Sequence, residues 1–275
     1  KFSVFHLAKP LYAFEASAGG ISTAADLVEF AAAVNAGESF AKWMDSEGKV
    51  VLKNDIDMSS VTSWTPIGVG VFTWSSNKLT CTSGNPFTGY FDGKGYSIKN
   101  FNVVCTNSTK GSTYGFFGSL GAGAVVENLV FDSTCSMELK STAATDCGML
   151  AGLAWDATIK NITNKGVMKY TGTSDNVKTT LAVVGMAFAE TQDVLIENVV
   201  NEGNITAVSG GSNQNGGNAV QVAGILAFGT NHASVSKVAH VKDCTNKGNI
   251  ESATARASGI VAACNRYTVI RGCAN

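Results

Sequence analysis

A short motif recurs along most of this chain of 275 residues, and it constrains the fold more than any other feature of the sequence. The motif is an aliphatic residue, a charged residue, an asparagine and another apolar residue. In four copies a glycine lies 13 residues before the asparagine position, and in three copies an Asn-x-Gly follows it. The copies begin at Ile98, Val126, Ile159, Ile196, Val241 and Ile270.

Each repeat contains three short strand-like segments separated by glycine and asparagine corners, with no helical apolar period between them. In one repeat these segments are 148–153, 158–163 and 167–171. Parallel β-helices have this construction, with one coil per repeat. The sequence therefore predicts an all-β fold, a single-stranded right-handed parallel β-helix of about six coils with three strands per coil.

The residues that precede the repeats predict an N-terminal capping helix. Apolar residues follow helical spacing over 21–35, Ser22 or Thr23 can serve as the N-cap, and Gly37 can end the helix. Such a helix would cover the open core and the free strand edge of the first coil. We divide the chain into an N-terminal tail that packs on the solenoid (1–20), an N-terminal cap (21–96) and the β-helix repeats (97–275).

Stacking the copies predicts columns of equivalent residues. Two inward columns are apolar, and Cys244 and Cys273 fall in the second of them. The asparagines predict a ladder at a corner, because asparagine tolerates a left-handed backbone and its amide can bond to the identical amide about 4.8 Å away. An outward column alternates in charge through its first five members and would set the register: Lys99, Glu127, Lys160, Glu197, Lys242 and Arg271. The predicted ladder consists of Asn100, Asn128, Asn161 and Asn198.

The strand that follows each glycine is apolar at two consecutive positions, as at Phe116 and Phe117. In a regular strand one of the two faces outward, so the outer face of this sheet needs a cover. We expect an intramolecular cover, from residues 1–20 or from an inserted loop. Self-association or a partner is the alternative.

Composition excludes several classes of function. The net charge is −1 and no block of lysine or arginine occurs, so neither nucleic acid nor an anionic membrane is an expected partner. No apolar run reaches the roughly 20 residues of a membrane-spanning helix. The seven cysteines include no CxxC and no zinc-ligand spacing, so we predict no metal and no cofactor.

Several segments together resemble bacterial cell-surface proteins with GLUG-type repeats. Similar repeats precede the peptidase region of some immunoglobulin-cleaving metallopeptidases, whose metal-binding helix motif this chain lacks. The resemblance implies an exported, extracellular or cell-surface, adhesin-like β-helix, and it carries over no catalytic residue. The segments that carry it are the helix with Asp26, Leu27 and Phe30, the strand 54–58, the segment 64–68, the turn and strand 91–98, and the Gly…Ile-x-Asn…Asn-x-Gly coils.

Asp156 and Asp193 form the most enzyme-like pattern, because each lies eight residues after a repeat glycine and His232 has the same offset one coil later. Two carboxylates about one strand apart suit general acid–base chemistry or calcium binding. The competing interpretation, which we favour, is that they are turn residues at a coil corner. Trp74 and Trp155 fall in loops and are candidates to stack on a sugar ring, although loop tryptophans pack against the core more often.

The favoured function is a non-enzymatic binding or adhesion module that presents a β-helix surface to a glycan or protein ligand. The alternative is a carbohydrate-active enzyme, a polysaccharide lyase or glycoside hydrolase, that uses Asp156, Asp193 and His232. Neither function requires a cofactor.

Overall fold

The computed structural model describes residues 19–275, except 76–77, 107–108, 141–142, 173–178, 209–219, 232–235, 254 and 266. Most of the predicted N-terminal tail (1–18) and the candidate site residue His232 therefore lie outside the described residues. Within these ranges, no helix combines the length and apolar character that crossing a membrane requires.

Helix α1 spans Ala24–Ala36 and confirms the predicted capping helix. The side chain of Thr23 accepts a hydrogen bond from the Asp26 backbone, and the Asp26 carboxylate accepts one from the Thr23 backbone in return. This capping box satisfies N–H groups that have no partner inside the helix. Gly37 ends the helix with φ 71°, a left-handed conformation that glycine adopts without strain.

The buried face of α1 packs against aromatic residues of the first coils. Phe30 is fully buried and meets the Trp43 ring edge-on, with 5.5 Å between ring centroids. It also contacts Phe91 at 6.1 Å, and Phe91 in turn meets Phe117 edge-on at 5.5 Å. The helix and the first coils therefore share one hydrophobic core.

Apart from a 3₁₀ turn at Ala41–Trp43, the rest of the described chain consists of strands and the turns and loops that join them. The strands are β1 (Val50–Val51), β2 (Ile56–Asp57), β3 (Gly70–Ser75), β4 (Lys78–Gly84), β5 (Tyr90–Asp92), β6 (Ser97–Lys99), β7 (Asn102–Cys105), β8 (Ser112–Leu120), β9 (Val125–Phe131), β10 (Ser136–Leu139), β11 (Thr145–Trp155), β12 (Thr158–Asn164), β13 (Val167–Tyr170), β14 (Thr179–Ala189), β15 (Val194–Asn201), β16 (Ile205–Ala207), β17 (Val220–Ala223), β18 (Leu226–Asn231), β19 (Ala239–Lys242), β20 (Thr245–Asn246), β21 (Ile250–Ser252), β22 (Arg256–Ser258), β23 (Val261–Cys264) and β24 (Thr268–Arg271).

These strands form three long sheets that the chain visits in turn. The first sheet runs in the order β1-β5-β9-β12-β15-β19-β24, with β2, β6 and β20 beside that path. The second runs β21-β16-β13-β10-β7, and the third runs β22-β17-β14-β11-β8-β3-β4, with β18 and β23 beside it. Neighbouring repeats pair in parallel throughout these sheets, whereas β3 pairs antiparallel with β4 and β8. The predicted all-β fold of parallel strands is confirmed.

The register differs from the predicted columns at the N-terminal end. Val126 lies opposite Phe91, whereas Ile98 lies opposite Phe131, five residues further along β9. Both β5 and β6 pair with β9, because a turn divides the first-sheet strand of that coil in two. The predicted columns are therefore wrong for Ile98 and for its neighbour Lys99.

The strands of the third sheet are irregular at the position of the paired apolar residues. Gly148 pairs with Ala182 and Ala151 pairs with Val184, so β11 has one more residue than β14 between the two pairings. Residues 149–150 are both fully buried in the main core. The prediction that one residue of each apolar pair faces outward is wrong here, because a strand with an extra residue does not keep strict alternation.

The glycines of this sheet are also aligned differently from the prediction. Gly185 lies level with Gly152, not with Gly148, since the flanking residues of β14 pair with Ala151 and Leu153. A methyl group on Gly185 would lie 2.6 Å from the carbonyl oxygen of Cys147 and 2.7 Å from that of Gly152. Glycine is therefore required because neighbouring backbones approach closely.

A second apolar cluster lies on the outer face of the third sheet and confirms the expected intramolecular cover. Phe72 and Leu79, from the hairpin of β3 and β4, pack with four side chains of the sheet. All six are at most 6% exposed. Among the described residues, this outer face is therefore covered by an inserted hairpin, β3 and β4. The four sheet residues are Leu153, Met186, Phe188 and Phe228.

Candidate functional site

The carboxylate of Asp156 is buried, and it bonds to the turn of the next repeat. Its side chain is 2% exposed and its backbone is left-handed, with φ 51°. It accepts hydrogen bonds from the backbone N–H of Glu190 at 2.6 Å, the backbone N–H of Thr191 at 2.8 Å and the Thr191 hydroxyl at 2.5 Å. The carboxylate therefore caps a turn.

Asp193 has a similar role in the following repeat, at a more exposed position. Its Oδ1 accepts a hydrogen bond from the backbone N–H of Val238 at 2.9 Å. Its Oδ2 lies 3.5 Å from Nε2 of His240, a neighbour that the sequence pattern did not single out. Each of the two aspartates thus holds the turn that follows it in the stack.

The register of β12 and β15 places the two aspartates at equivalent positions, because Thr158 pairs with Leu195 and each aspartate lies two residues earlier. The glycine spacing does not explain this equivalence, since Gly148 and Gly185 do not occupy one column. Asp156 and Asp193 also bond to different turns and share no hydrogen-bond partner among the described residues. No group of three or more histidine, cysteine, aspartate or glutamate side chains within the described ranges is arranged to hold a metal ion.

The two tryptophan candidates lie in strands and not in the predicted loops, since Trp155 ends β11 and Trp74 belongs to β3. The half-exposed ring of Trp155 meets Phe72 of the covering hairpin edge-on, with 6.0 Å between centroids. The indole N–H is buried and has no hydrogen-bond acceptor in the described part of the structure. Trp74 lies in β3, opposite Leu79, and its side chain is outside the described residues. The two other tryptophans, Trp43 and Trp64, are buried in the core.

The predicted asparagine ladder forms, with one change of membership. Asn198 donates from Nδ2 to Oδ1 of Asn161 at 2.8 Å, and Asn161 donates to Asn128 at 2.9 Å. Asn128 donates to Oδ1 of Asp92 at 3.0 Å, so Asp92 takes the place predicted for Asn100. Asn100 lies outside the ladder because it belongs to the β6 part of the divided strand, where its amide donates to Asp57 at 2.9 Å.

All six corner positions have the left-handed backbone that the ladder prediction required. The φ values lie between 52° and 63°. This conformation costs other side chains roughly 1–2 kcal/mol and is best tolerated by Gly, Asn and Asp. The corner residues are Asn100, Asn128, Asn161, Asn198, Asp243 and Gly272.

A second, buried asparagine ladder was not predicted. Asn164 donates to Asn201 at 2.7 Å, Asn201 to Asn246 at 2.8 Å, and Asn246 to Asn275 at 2.7 Å. The first three amides also donate to the carbonyl two residues ahead, at Gly166, Gly203 and Gly248. The Asn-x-Gly recurrence was the available signal, but it indicated only a corner and gave no sign of burial.

The outward charged column alternates in sign from Glu127 to Lys242, as predicted, and its last pairing joins two cations, Lys242 and Arg271. Glu127 lies opposite Lys160, which is 3.7 Å from the carboxylate of Glu197, and Glu197 also pairs with Lys242. The bond from Lys242 lowers the pKa of Glu197. Lys99 stands apart from this column and pairs with Asp55 at 2.7 Å.

Tyr90 contacts Glu127, the first residue of this part of the charged column. Its hydroxyl donates to Oε1 of Glu127 at 2.5 Å, and this bond together with burial raises the pKa of Tyr90 to about 12. This hydrogen bond stabilises Glu127 beside Asp92, the like-charged residue with which it pairs in register.

The cysteines mostly fill the core, as expected from their positions. Cys105, Cys135, Cys147 and Cys244 are buried, and Cys273 is half-buried. Burial raises the pKa of the Cys135 thiol to about 11 and that of Cys244 to about 12. These thiols stay protonated near neutral pH.

Comparisons with known proteins do not assign this arrangement to a family. No family model and no curated protein matches the chain. One similar solved structure is a protein from Bacteroides ovatus that is provisionally described as an immunoglobulin A1 protease. It is 16% identical, the alignment covers 93% of this chain and 83% of that chain, and the TM-score is 0.37. A score of this size carries no argument about the fold or the function.

Proposed function

We propose that this chain is a single right-handed parallel β-helix of about six coils from an exported bacterial cell-surface protein with GLUG-type repeats. Its function is to bind a glycan without chemically changing it. The repeated passage through three sheets supports the β-helix, since one strand in each sheet per repeat is what successive coils require.

The aspartates favour binding over catalysis. An acid–base pair needs a carboxyl group that can reach a substrate. The Asp156 carboxylate is instead buried and accepts three hydrogen bonds from the Glu190–Thr191 turn. Asp193 holds a different turn. The contacts of both carboxylates are therefore explained by the turns that they stabilise.

Trp155 carries the proposal for the ligand. A half-exposed indole at the edge of the covering hairpin offers an apolar ring face on which a sugar ring can stack. Its buried N–H lacks an acceptor among the described residues, and an unpaired buried donor costs roughly 1–3 kcal/mol. Because the N–H is buried, a sugar would contact the exposed ring face and not the N–H.

A glycan array tests the proposal with the intact chain and two variants. Trp155→Ala should weaken binding to any glycan that the parent chain retains by about tenfold or more. Trp155→Phe keeps an aromatic contact with Phe72 but offers a smaller ring face, so it should retain an intermediate affinity. Equal binding by all three proteins, or binding to host proteins and to no glycan, would contradict the proposal.

The enzyme alternative is tested separately with polysaccharide substrates. We expect no turnover by the parent chain, and a double Asp156→Asn/Asp193→Asn variant that is less stable but still binds the glycan. Turnover that disappears in the double variant while its folded fraction is unchanged would favour the enzyme. Accessibility of the chain to protease on intact cells tests the proposed location.

A further inference from the structure

We propose that Cys105 and Cys147 are a disulfide-forming pair that links two successive repeats across the core. Cys105 is the last residue of β7, in the second sheet, and Cys147 lies in β11, in the third sheet. Both belong to the main core, with side chains at most 1% exposed. This proposal does not depend on the ligand.

Three contacts place the two thiols together. The Cys147 thiol hydrogen-bonds with Cys105, and its Sγ is 3.3 Å from Sδ of Met137. Met137 lies on β10, two residues before Leu139, which pairs in register with Cys105. Cys147 therefore contacts the part of the second sheet that lies beside Cys105.

Cys105 and Cys147 are suited to a disulfide because their side chains approach each other from two different sheets. A disulfide requires its Cβ atoms about 3.8 Å apart and its sulfurs about 2.05 Å apart. Inward side chains from separate sheets meet at their tips, so strand spacing does not fix the distance between their Cβ atoms. Rotation of the two side chains therefore sets the distance between the sulfurs, and the proposal requires that it bring them within bonding distance.

Cys244 and Cys273 provide an internal contrast. Their side chains also contact each other, but they are level on adjacent parallel strands, because Lys242 pairs with Arg271 and Thr245 bridges to Ala274. Parallel strand spacing separates such residues by about 4.8 Å, and their Cβ atoms point the same way. The Cβ separation is then longer than a disulfide prefers, so this pair should stay reduced.

The oxidation requires a disulfide reagent such as oxidised glutathione. The thiolate of one cysteine attacks one sulfur of the reagent. A mixed disulfide forms between the protein and that glutathione, and the other glutathione is released. The second thiolate then attacks the protein sulfur of that mixed disulfide and releases a second glutathione. Two protons and two electrons thus leave the protein for two molecules of reduced glutathione.

The timing of the reaction follows from burial. The contact with Cys105, together with burial, raises the pKa of Cys147 well above its ordinary value, and a protonated thiol is a poor nucleophile. We expect the bond to form while the chain folds, before β11 closes over the core, and to form slowly in folded protein. An exported location would supply the oxidising conditions.

The test is to refold the full chain in a glutathione redox buffer, alkylate the remaining thiols in denaturant and map the peptides. The expected product has five alkylated cysteines and one linked peptide pair that contains Cys105 and Cys147. Oxidation should raise the thermal midpoint by about 2–8 °C. That shift should disappear in Cys105→Ala and in Cys147→Ala but persist in the matched control Cys244→Ala.

Comparing oxidised with reduced protein within each variant keeps the test valid even where a substitution itself lowers stability. Seven alkylated cysteines after oxidative refolding would overturn the proposal. A link between Cys244 and Cys273, or between any other pair in place of Cys105 and Cys147, would also overturn it.

Discussion

Asn201 donates a hydrogen bond from its side-chain Nδ2 to Oδ1 of Asn246 at 2.8 Å, inside the core. Asn201 also accepts one from Asn164 at 2.7 Å, and its side chain is fully buried. Removing a member of such a chain leaves buried polar partners unpaired, at roughly 1–3 kcal/mol for each group. The buried ladder is therefore a region of the core that does not tolerate an apolar replacement at a single position.

The first prediction compares the two ladders. Asn201→Ala should lower the free energy of unfolding by about 3 kcal/mol, since Asn164 and Asn246 each lose a partner inside the core. Asn161→Gly removes the same kind of bond from the exposed ladder, where water replaces it and glycine accepts the left-handed backbone, so it should cost about 1 kcal/mol or less. Urea unfolding measures both values. Equal losses would show that burial of the ladder has no energetic consequence.

The second prediction concerns Asp243, which occupies the ladder position after Asn198 with φ 52°. Asp243→Asn would supply a donor for Oδ1 of Asn198 and extend the exposed ladder by one bond, so it should stabilise the protein by about 0.5 kcal/mol. The substitution gives up an exposed pair with Lys242 at 3.4 Å, worth roughly 0–1 kcal/mol and screened by salt. The gain in unfolding free energy should therefore increase at high salt. A gain that vanishes at high salt would mean that the effect is electrostatic.

The third prediction concerns the closely packed backbones of the third sheet. Gly185→Ala should destabilise the protein by about 3 kcal/mol, because the added methyl group meets two carbonyl oxygens at 2.6 and 2.7 Å. Gly95→Ala is the matched control. Gly95 has φ 82° and nothing within 4 Å of an added methyl group, so only the roughly 1 kcal/mol of left-handed strain applies. Thermal unfolding distinguishes the two, and similar costs would contradict the close approach.

The fourth prediction is a pH dependence that arises from Tyr90. Its pKa is about 12 in the folded chain and about 10 when unfolded. The stabilisation from its bond to Glu127 is therefore fully present below pH about 10 and is lost as the pH rises through about 12. Ultraviolet titration should show one fewer tyrosine ionising near pH 12 in Tyr90→Phe. Tyr114→Phe should remove a second late-ionising tyrosine, because burial raises the pKa of Tyr114 to about 12 as well. If Tyr90→Phe removes the signal near pH 10 instead, the bond to Glu127 is absent in solution.

The repeat was sufficient to predict the parallel sheets and the left-handed corners, and the residues before it were sufficient to predict the capping helix. Each of these depends on local residue type and on constant spacing. The aliphatic positions from Val126 to Ile270 stack as predicted, because each pairs in register with the next. The corner conformation follows from Asn and Gly themselves, and the helix follows from Thr23, Asp26 and Gly37.

Register was harder to predict where a strand departs from the repeat. The turn between β5 and β6 moves Asn100 out of its expected column, and no residue type at Asn100 reveals this. The extra residue in β11 likewise breaks the equivalence of Gly148 and Gly185, although their distances to the following asparagine are identical. The candidate pair Asp156 and Asp193 rested on that equivalence. Two residues at the same sequence spacing can therefore occupy different positions in the sheet, because a longer strand in one repeat is offset by a shorter turn after it.

The two asparagine ladders point in opposite directions along the stack. In the exposed ladder each amide donates towards the N-terminal repeat and ends on the carboxylate of Asp92, which can only accept. In the buried ladder each amide donates towards the C-terminal repeat, since the carbonyls of Gly166, Gly203 and Gly248 hold the donor end. The dipoles of the two rows therefore oppose each other. Because Asp92 can only accept, Asn128 must direct its donor towards it, and Asn161 and Asn198 repeat this orientation along the stack.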